Sequence, residues 1–251
     1  MGLRNRQLCG SGCFASEPRI VWREDEEFSK TGRSELSMDD ILEIMKTRRS
    51  IRRYKKKDVP DELLDKIMEA GRWSPSGDNA QPWRFIVVRD PEVKKAMGKI
   101  ATEGSGRRFT AEYFTGHMQE RFKELKDEEK KARAFQKLRS GAVSSFLADA
   151  TVVIVVCAKL DVWDVPYDAA MATQNMQLMA HALGLGTCVV VAPVSDMRDD
   201  IKTMELLNVP HGYKIVAPLA IGYPDESPNP RPRLPLEDIV FYEAFGQRRE
   251  K

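Results

Sequence analysis

Apolar residues recur every three or four positions in several segments of the chain, and each such segment predicts a helix. In the first, Ile41, Leu42, Ile44 and Met45 keep that spacing, Asp39 and Asp40 lie in the first turn, and Ser37 is placed to cap. Pro60-Asp61-Glu62 starts a second helix, with Leu63, Leu64, Ile67, Met68 and Ala70 on its apolar face and Gly71 just beyond it. Asp90-Pro91-Glu92 opens a third. The fullest pattern covers 165–183. There Ala169, Ala170, Met171, Ala172, Met176, Leu178, Met179, Ala180 and Ala182 leave the helix apolar around much of its girth, as burial on several sides requires. Gly184-Leu185-Gly186 is its stop signal. Residues 196–207 predict another helix. Four shorter runs read as strands: 84–88, 151–157, 187–191 and 214–221, the last ending at Gly222. Those at 151–157 and 187–191 are apolar without alternation, so both of their faces should be covered.

Between the first two strands the pattern changes. Gly104-Ser105-Gly106 reads as a hinge-like break, followed by Phe109, Tyr113, Phe114, Met118, Phe122 and Leu125, and then by a long charged helical stretch over 119–138. Residues 101–140 therefore read as a helical excursion from the core. Ahead of the first strand, 73–83 holds two prolines, a glycine and small polar residues, the signature of an ordered loop. Residues 1–36 form an N-terminal extension with a solvated charge run over 23–30, and 237–251 a C-terminal extension too apolar over 236–245 to float free. Helices and strands mix without strict βαβ repetition, and no G-x-G-x-x-G follows the first strand. The fold class is α+β, not a Rossmann domain.

Composition narrows the function. At 251 residues and 42% hydrophobic, the chain can bury a sizeable core. No run approaches the roughly 18 apolar residues that a membrane span needs, and the N-terminus has no apolar signal core. A cytoplasmic protein with no membrane partner is expected. Cys9 and Cys13 are spaced C-x3-C with no second pair nearby, and Cys157 and Cys188 lie in strands, so neither a metal site nor a disulfide framework is expected. Net charge is only +2, so the basic cluster Arg48-Arg49-Ser50-Ile51-Arg52-Arg53 is a local feature. Taken alone, it could be a solvated face, a nucleic-acid contact or a phosphate grip. Guanidinium forks suit a phosphate dianion because their charge-assisted bonds are bidentate.

The cluster does not stand alone. Arg48-Arg49-Ser50-Ile51-Arg52 is followed by Ser74-Pro75-Ser76-Gly77-x-Asn79-x-Gln81-Pro82-Trp83-x-Phe85. Then come the Ala-rich helix with Asn175 and Leu178 ending at Gly184-Leu185-Gly186, and Gly222-Tyr223-Pro224 with Arg231 and Arg233. In this order and spacing the chain resembles the nitroreductase family over roughly 38–236. The resemblance implies a central mixed, mostly antiparallel sheet flanked by helices. It also implies an intertwined homodimer and an FMN-binding domain over 37–236, with 101–140 as a lid. Arg48, Arg49, Ser50 and Arg52 would hold the FMN phosphate and ring edge. Pro75, Ser76 and Asn79 would line the isoalloxazine, partly from the other subunit. The backbone of Val189, Val190 and Val191 would run beside the ring, and Arg233 and Arg231 would close on the phosphate.

The implied activity is transfer of a hydride from NADH or NADPH to the flavin. A small electron-poor organic molecule (a nitroaromatic, quinone or enone) would then be reduced by ping-pong kinetics. Arg52 is the candidate to stabilise reduced flavin, and no protein acid or base is required, so His117, His181 and His211 need no role. One alternative is a reductive dehalogenase resembling iodotyrosine deiodinase, whose lid clamps a zwitterion with Glu, Tyr and Lys. Glu112, Tyr113 and Lys137 are the matching residues here. Glu112 and Tyr113 are adjacent, so on a helix they point about 100° apart, which favours the general reductase. A non-enzymatic basic binding module is the remaining alternative. A small-molecule substrate and no nucleic acid are the expected partners.

Overall fold

The computed structural model describes residues 38–249. Ser37, Cys9, Cys13 and the rest of the N-terminal extension lie outside the described residues. The sheet has four strands: β1 (Trp83–Val88), β2 (Val152–Lys159), β3 (Gly186–Val189) and β4 (Tyr213–Gly222), in the order β1-β2-β4-β3. All three pairings are antiparallel. The parallel component is a single bridge from Ser50 to Thr187 on the outer edge of β3, and in that sense the sheet is mixed.

Helices cover both faces. From Val152 to Ala158, β2 is buried without interruption, as its unalternating sequence requires. Val152, Ile154, Val156, Leu219 and Ile221 face α2 (Asp61–Arg72) and α6 (Val165–Ala182), packing against Leu64, Ile67, Ala169, Met176 and Ala180. Val153, Val155, Cys157, Ile215 and Ala220 face the other way, onto Met97 and Ala101 of α3 (Pro91–Phe114) and onto Leu147. The remaining helices are α1 (Met38–Thr47), α4 (His117–Arg121), α5 (Glu128–Arg139), α7 (Met197–Leu206) and the short α8 (Leu236–Ile239).

The helix ends follow from local chemistry. The Asp90 carboxylate accepts from the N–H groups of Glu92 and Val93, with Pro91 in the first turn. At the end of α6, Gly184 takes φ +76°, the Leu185 N–H donates to the Ala180 carbonyl at 2.8 Å and the Gly184 N–H to His181 at 2.9 Å. These two bonds form a Schellman cap.

Four sequence expectations are corrected. The glycines at 104 and 106 do not break the chain: α3 runs straight through them. They are packing positions. A Cβ on Gly104 would lie 2.6 Å from the Ala192 carbonyl, and one on Gly106 3.1 Å from that of Arg139. Gly71 lies within α2, where its missing side chain admits Met176 and Phe85. The charged stretch over 119–138 is two helices, because the chain turns between α4 and the Asp127 cap of α5. Finally, β3 stops at Val189. The Val190 N–H still donates to the Pro218 carbonyl at 2.9 Å, but a proline has no N–H to return, and Val190 and Val191 leave the ladder.

Candidate active site

The arginine stretch is an extended connector from α1 to α2, stitched to the end of the sheet where β3 begins and β4 finishes. The Ile51 N–H donates to the Thr187 carbonyl at 2.9 Å, and the Lys55 N–H to that of Tyr223 at 2.9 Å. The Asp225 N–H returns a bond to Arg53. Ile51 is the one apolar residue of the cluster, and it is buried against Gly186, where any Cβ would lie 2.7 Å from its side chain. The Tyr54 phenol donates to the Ile51 carbonyl at 2.6 Å, and burial raises its pKa above the ordinary phenol range.

With Ile51 fixed inward, the arginines face out of the core. Arg48 is half-buried and its Nη1 is buried with no hydrogen-bond partner. Arg49 Nη1 donates to the carbonyls of Lys46 and Arg48 at 2.5 and 2.8 Å. The Cys188 thiol donates to the Val189 carbonyl at 3.5 Å; burial raises its pKa, while Arg52, Ser50 and Arg48 pull it down. The His181 ring, bonded to Thr47 Oγ1 at 2.9 Å, has its pKa lowered by burial and by Arg48 and Arg49. One positive field therefore reaches His181 and Cys188 alike.

Beside this cluster lies a cleft of about 970 Å³. Its floor includes Arg52, Arg53, Cys188, Glu226 and Arg231, and Val189, Val190 and Val191 run along it. Its roof comes from α3, α4 and α5, with Arg108, Phe109, Arg121 and Lys137. The span 101–140 thus supplies several of the residues that line the cleft. Arg52 lies over the Phe146 ring at 5.8 Å. A buried pair, Ser105 and Ser144, shares a 2.5 Å hydrogen bond in the wall.

The expected residues are not all in one place. Arg52, Val189, Val190, Val191 and Arg231 line the cleft; Arg48, Arg49 and Ser50 are not among its lining residues and precede Arg52 in the same connector. Arg233 is exposed and turned back on the chain, its Nη1 donating to the carbonyls of Arg231 and Pro232. Pro75, Ser76 and Asn79 lie elsewhere, on a loop against the start of α6. The Gly77 N–H there donates to Asp168 at 3.4 Å, and Ser76 Oγ accepts from the Gln81 N–H at 3.0 Å. Asp78, Asn79 and Gln81 all take positive φ, at 50°, 53° and 46°. Three such non-glycine residues in four positions store strain of a kind that concentrates at functional sites. Glu112 is ion-paired to Arg108 and Arg121. Tyr113 packs edge-on against Phe114 and Phe135 under Arg139 and lines a separate cavity.

Sequence reading missed Glu226, which accepts from the Arg52 N–H at 2.5 Å and the Arg53 N–H at 3.2 Å. Its place two residues beyond Gly-Tyr-Pro was the available signal. It also missed Arg108 and Arg121, although the i, i+4 spacing of Arg108 and Glu112 was visible. Among the described residues no cluster could hold a metal ion, and no helix is long and apolar enough to cross a membrane.

Comparison with known proteins shows the family and the fold. The Nitroreductase family profile matches residues 45–223. An NADH dehydrogenase of Thermus thermophilus is 30% identical over 212 residues, which cover 78% of this chain and 92% of that one. An FMN-dependent nitroreductase of Clostridium difficile superposes with a TM-score of 0.62 at 29% identity, covering 81% of this chain and 99% of that one. An iodotyrosine deiodinase, solved with FMN and 3-iodo-L-tyrosine, superposes with a TM-score of 0.67 at 26% identity, covering 82% of this chain and all of that one.

Proposed function

The chain belongs to the nitroreductase family, and on that premise we propose that it is an FMN-dependent oxidoreductase that draws a hydride from NADH or NADPH and reduces small electron-poor organic molecules. The carrying observation is the buried, unpartnered Nη1 of Arg48, in a connector whose Arg52 and Arg53 line the cleft. An orphaned charged donor is costly unless an anion meets it. A phosphate held by Arg48, Arg49 and Ser50, with Arg231 beyond, would satisfy it.

When bound, FMN supplies the two-electron chemistry. The protein's own residues then have three tasks. The arginines fix the phosphate end. Val189, Val190 and Val191 offer a flat wall and, because Pro218 cannot pair with it, a backbone carbonyl at Val190 left out of the ladder. Arg52 offers positive charge to the end of the ring that becomes anionic on reduction. None of this needs a protein acid or base.

A homodimer belongs to this reading. Pro75, Ser76 and Asn79 lie away from their own chain's cleft, so they reach a flavin only if a second chain brings its site to them. Trp163, at 99% exposure, and the exposed Tyr167, Ile41, Leu42 and Phe245 provide apolar surface for such an interface. Light scattering of the purified protein should give twice the chain mass.

The dehalogenase alternative has support in the likeness to iodotyrosine deiodinase. The engagement of Glu112 with Arg108 and Arg121, and of Tyr113 with Phe135, counts against a Glu-Tyr clamp and favours the general reductase. The deciding experiment is simple. Purified protein should be yellow, with flavin absorbance that NAD(P)H bleaches anaerobically, and Arg49→Glu should lose the flavin. Colourless protein that takes up no added FMN would sink the proposal; an R49E protein that stays yellow would sink the phosphate assignment.

A further inference from the structure

A second basic cavity, of about 580 Å³, shares no lining residue with the flavin cleft. Three segments bound it: residues 54–58 of the connector, the turn from β1 into α3, and residues 148–151 leading into β2. The two sites are neighbours along the chain, since Arg53 lines the cleft and Tyr54 lines this cavity. We infer that the cavity binds a small phosphorylated molecule and that a diphosphate group is the part it recognises. This goes beyond the flavin reading and does not depend on it.

The charge balance is the first support. Lys55, Lys56, Lys57, Arg89 and Lys94 line the cavity, against the two acids Asp58 and Asp149, a surplus of +3. Asp61 stands outside the lining and pairs with Arg89, which brings the surplus to +2. That equals the net charge of the whole chain, so the excess is concentrated here and not spread over the surface. Donor availability is the second support. Lys55 and Lys56 form no ion pair or side-chain hydrogen bond among the described residues. The Lys57 ammonium lies 4.1 Å from the centre of the Tyr223 ring, which steadies it without using its charge on an acid. Arg89 gives Nη2 to the Val59 carbonyl at 2.7 Å and to Asp61 at 2.5 Å, while its Nε and Nη1 form no hydrogen bond among the described residues. Lys94 Nζ donates to the carbonyls of Ala150 and Thr151 at 2.8 and 2.9 Å, which pins the ammonium and leaves one of its three N–H groups over.

These cations also crowd one another. Burial lowers the Lys94 pKa and Arg89 lowers it further, against Asp58 and Asp90, which raise it. An anion beside them relieves that repulsion, and phosphate oxygens take charge-assisted bonds from lysine and arginine alike. A diphosphate suits a surplus of more than one charge better than a single phosphate does. The two acids in the lining favour a compact ligand, because an extended polyanion such as RNA would run across them.

The probes are inorganic pyrophosphate, ADP and inorganic phosphate, titrated into full-length protein by calorimetry, with and without added FMN. Pyrophosphate and ADP should saturate one site per chain and bind about tenfold more tightly than phosphate, with the advantage shrinking as salt rises. ADP binding more tightly than pyrophosphate identifies a diphosphate ester as the ligand; equal binding identifies the free diphosphate. The triple variant Lys55→Gln/Lys56→Gln/Lys57→Gln, at three exposed positions, should weaken both by about tenfold or more. The corresponding triple Lys→Arg variant should keep them. Asp58→Asn/Asp149→Asn removes the acids and should tighten both, a sign that damage to the fold would not produce. Arg49→Glu should leave both unchanged. Absence of saturable binding overturns the site. So does binding that Arg49→Glu removes and the triple glutamine variant spares, since the probe would then sit on the arginine stretch. A short single-stranded RNA that displaces ADP at lower concentration than pyrophosphate does overturns the small-ligand assignment.

Discussion

The Glu226 carboxylate accepts the backbone N–H of Arg52 at 2.5 Å and its side chain pairs with Arg53 at 3.4 Å, joining the end of the sheet to the middle of the arginine stretch. Two backbone donors thus depend on one side chain, since Oε1 also takes the Arg53 N–H. Glu226→Ala should therefore lower stability by about 1–3 kcal/mol and loosen the flavin with it. Glu226→Gln, which keeps an oxygen acceptor, should recover most of the stability. Urea midpoints and flavin retention through gel filtration check both variants.

His181 offers a test of the proposed phosphate site from outside it. Its pKa is lowered by burial, and then by Arg48 and Arg49. A bound phosphate dianion would neutralise part of that field, so the His181 pKa should rise when FMN is added to apoprotein. Histidine ring resonances followed through a pH titration, with and without FMN, measure this directly. An unchanged His181 pKa in fully loaded protein would mean that the phosphate lies elsewhere.

Gly104 has no room for a side chain. A Cβ there would fall 2.5 Å from Asp199 Oδ2 and 2.6 Å from the Ala192 carbonyl. Asp199 is fully buried and ion-paired to Arg107, so it cannot simply turn aside. Gly104→Ala should cost about 1–3 kcal/mol, read as a Tm drop of roughly 2–4 °C per kcal/mol. The rest of α3 should shift with it, since Ser105 and Arg108 follow directly in that helix.

Alkaline pH should weaken the fold. Burial pushes the Cys157 thiol from 9.0 up to about 11, with Asp200 adding to the shift. Cys188 and Tyr54 are raised too, chiefly by burial. Above pH 9 the unfolded chain loses thiol protons that the folded chain keeps, so unfolding gains and stability falls as pH rises. The Cys157 contribution is complete below pH 9 and is lost between 9 and about 11, amounting to roughly 2–3 kcal/mol. Denaturant midpoints should fall across that window, less steeply in Cys157→Ala. The same burial should leave Cys157 unreactive toward iodoacetamide at pH 8.

How much of this could be read in the sequence depended on how local the cause was. β2 and α6 were legible because their patterns are complete within the segment, and the α6 stop because Gly184 needs only its own helix to form the cap. Gly104 and Gly106 misled because a missing side chain looks the same whether it serves bending or close packing. The end of β3 was hidden because its cause, Pro218, sits on another strand. The arginine cluster was legible as a local concentration of charge, but its reading as a phosphate grip rested on the motifs that follow it and not on charge density alone. The role of Glu226 was not, because a side chain bonding to backbone N–H groups leaves no residue-type pattern on the other side. The separation of Pro75–Asn79 from the cleft is purely tertiary.

The stitching of residues 51–55 bears on how the protein is handled by the cell. This connector donates backbone N–H bonds to Thr187, Tyr223 and Glu226, residues that are remote from it in sequence and lie where β3 begins and the chain leaves β4. It can settle only after those strands have paired, and it cannot detach while they hold. Its amides should therefore exchange with solvent only in the larger openings that take the sheet edge with them. A ligand bridging its arginines selectively stabilises the closed chain. Loaded molecules should thus outlast empty ones under protease, which makes cofactor supply a control on the protein's lifetime.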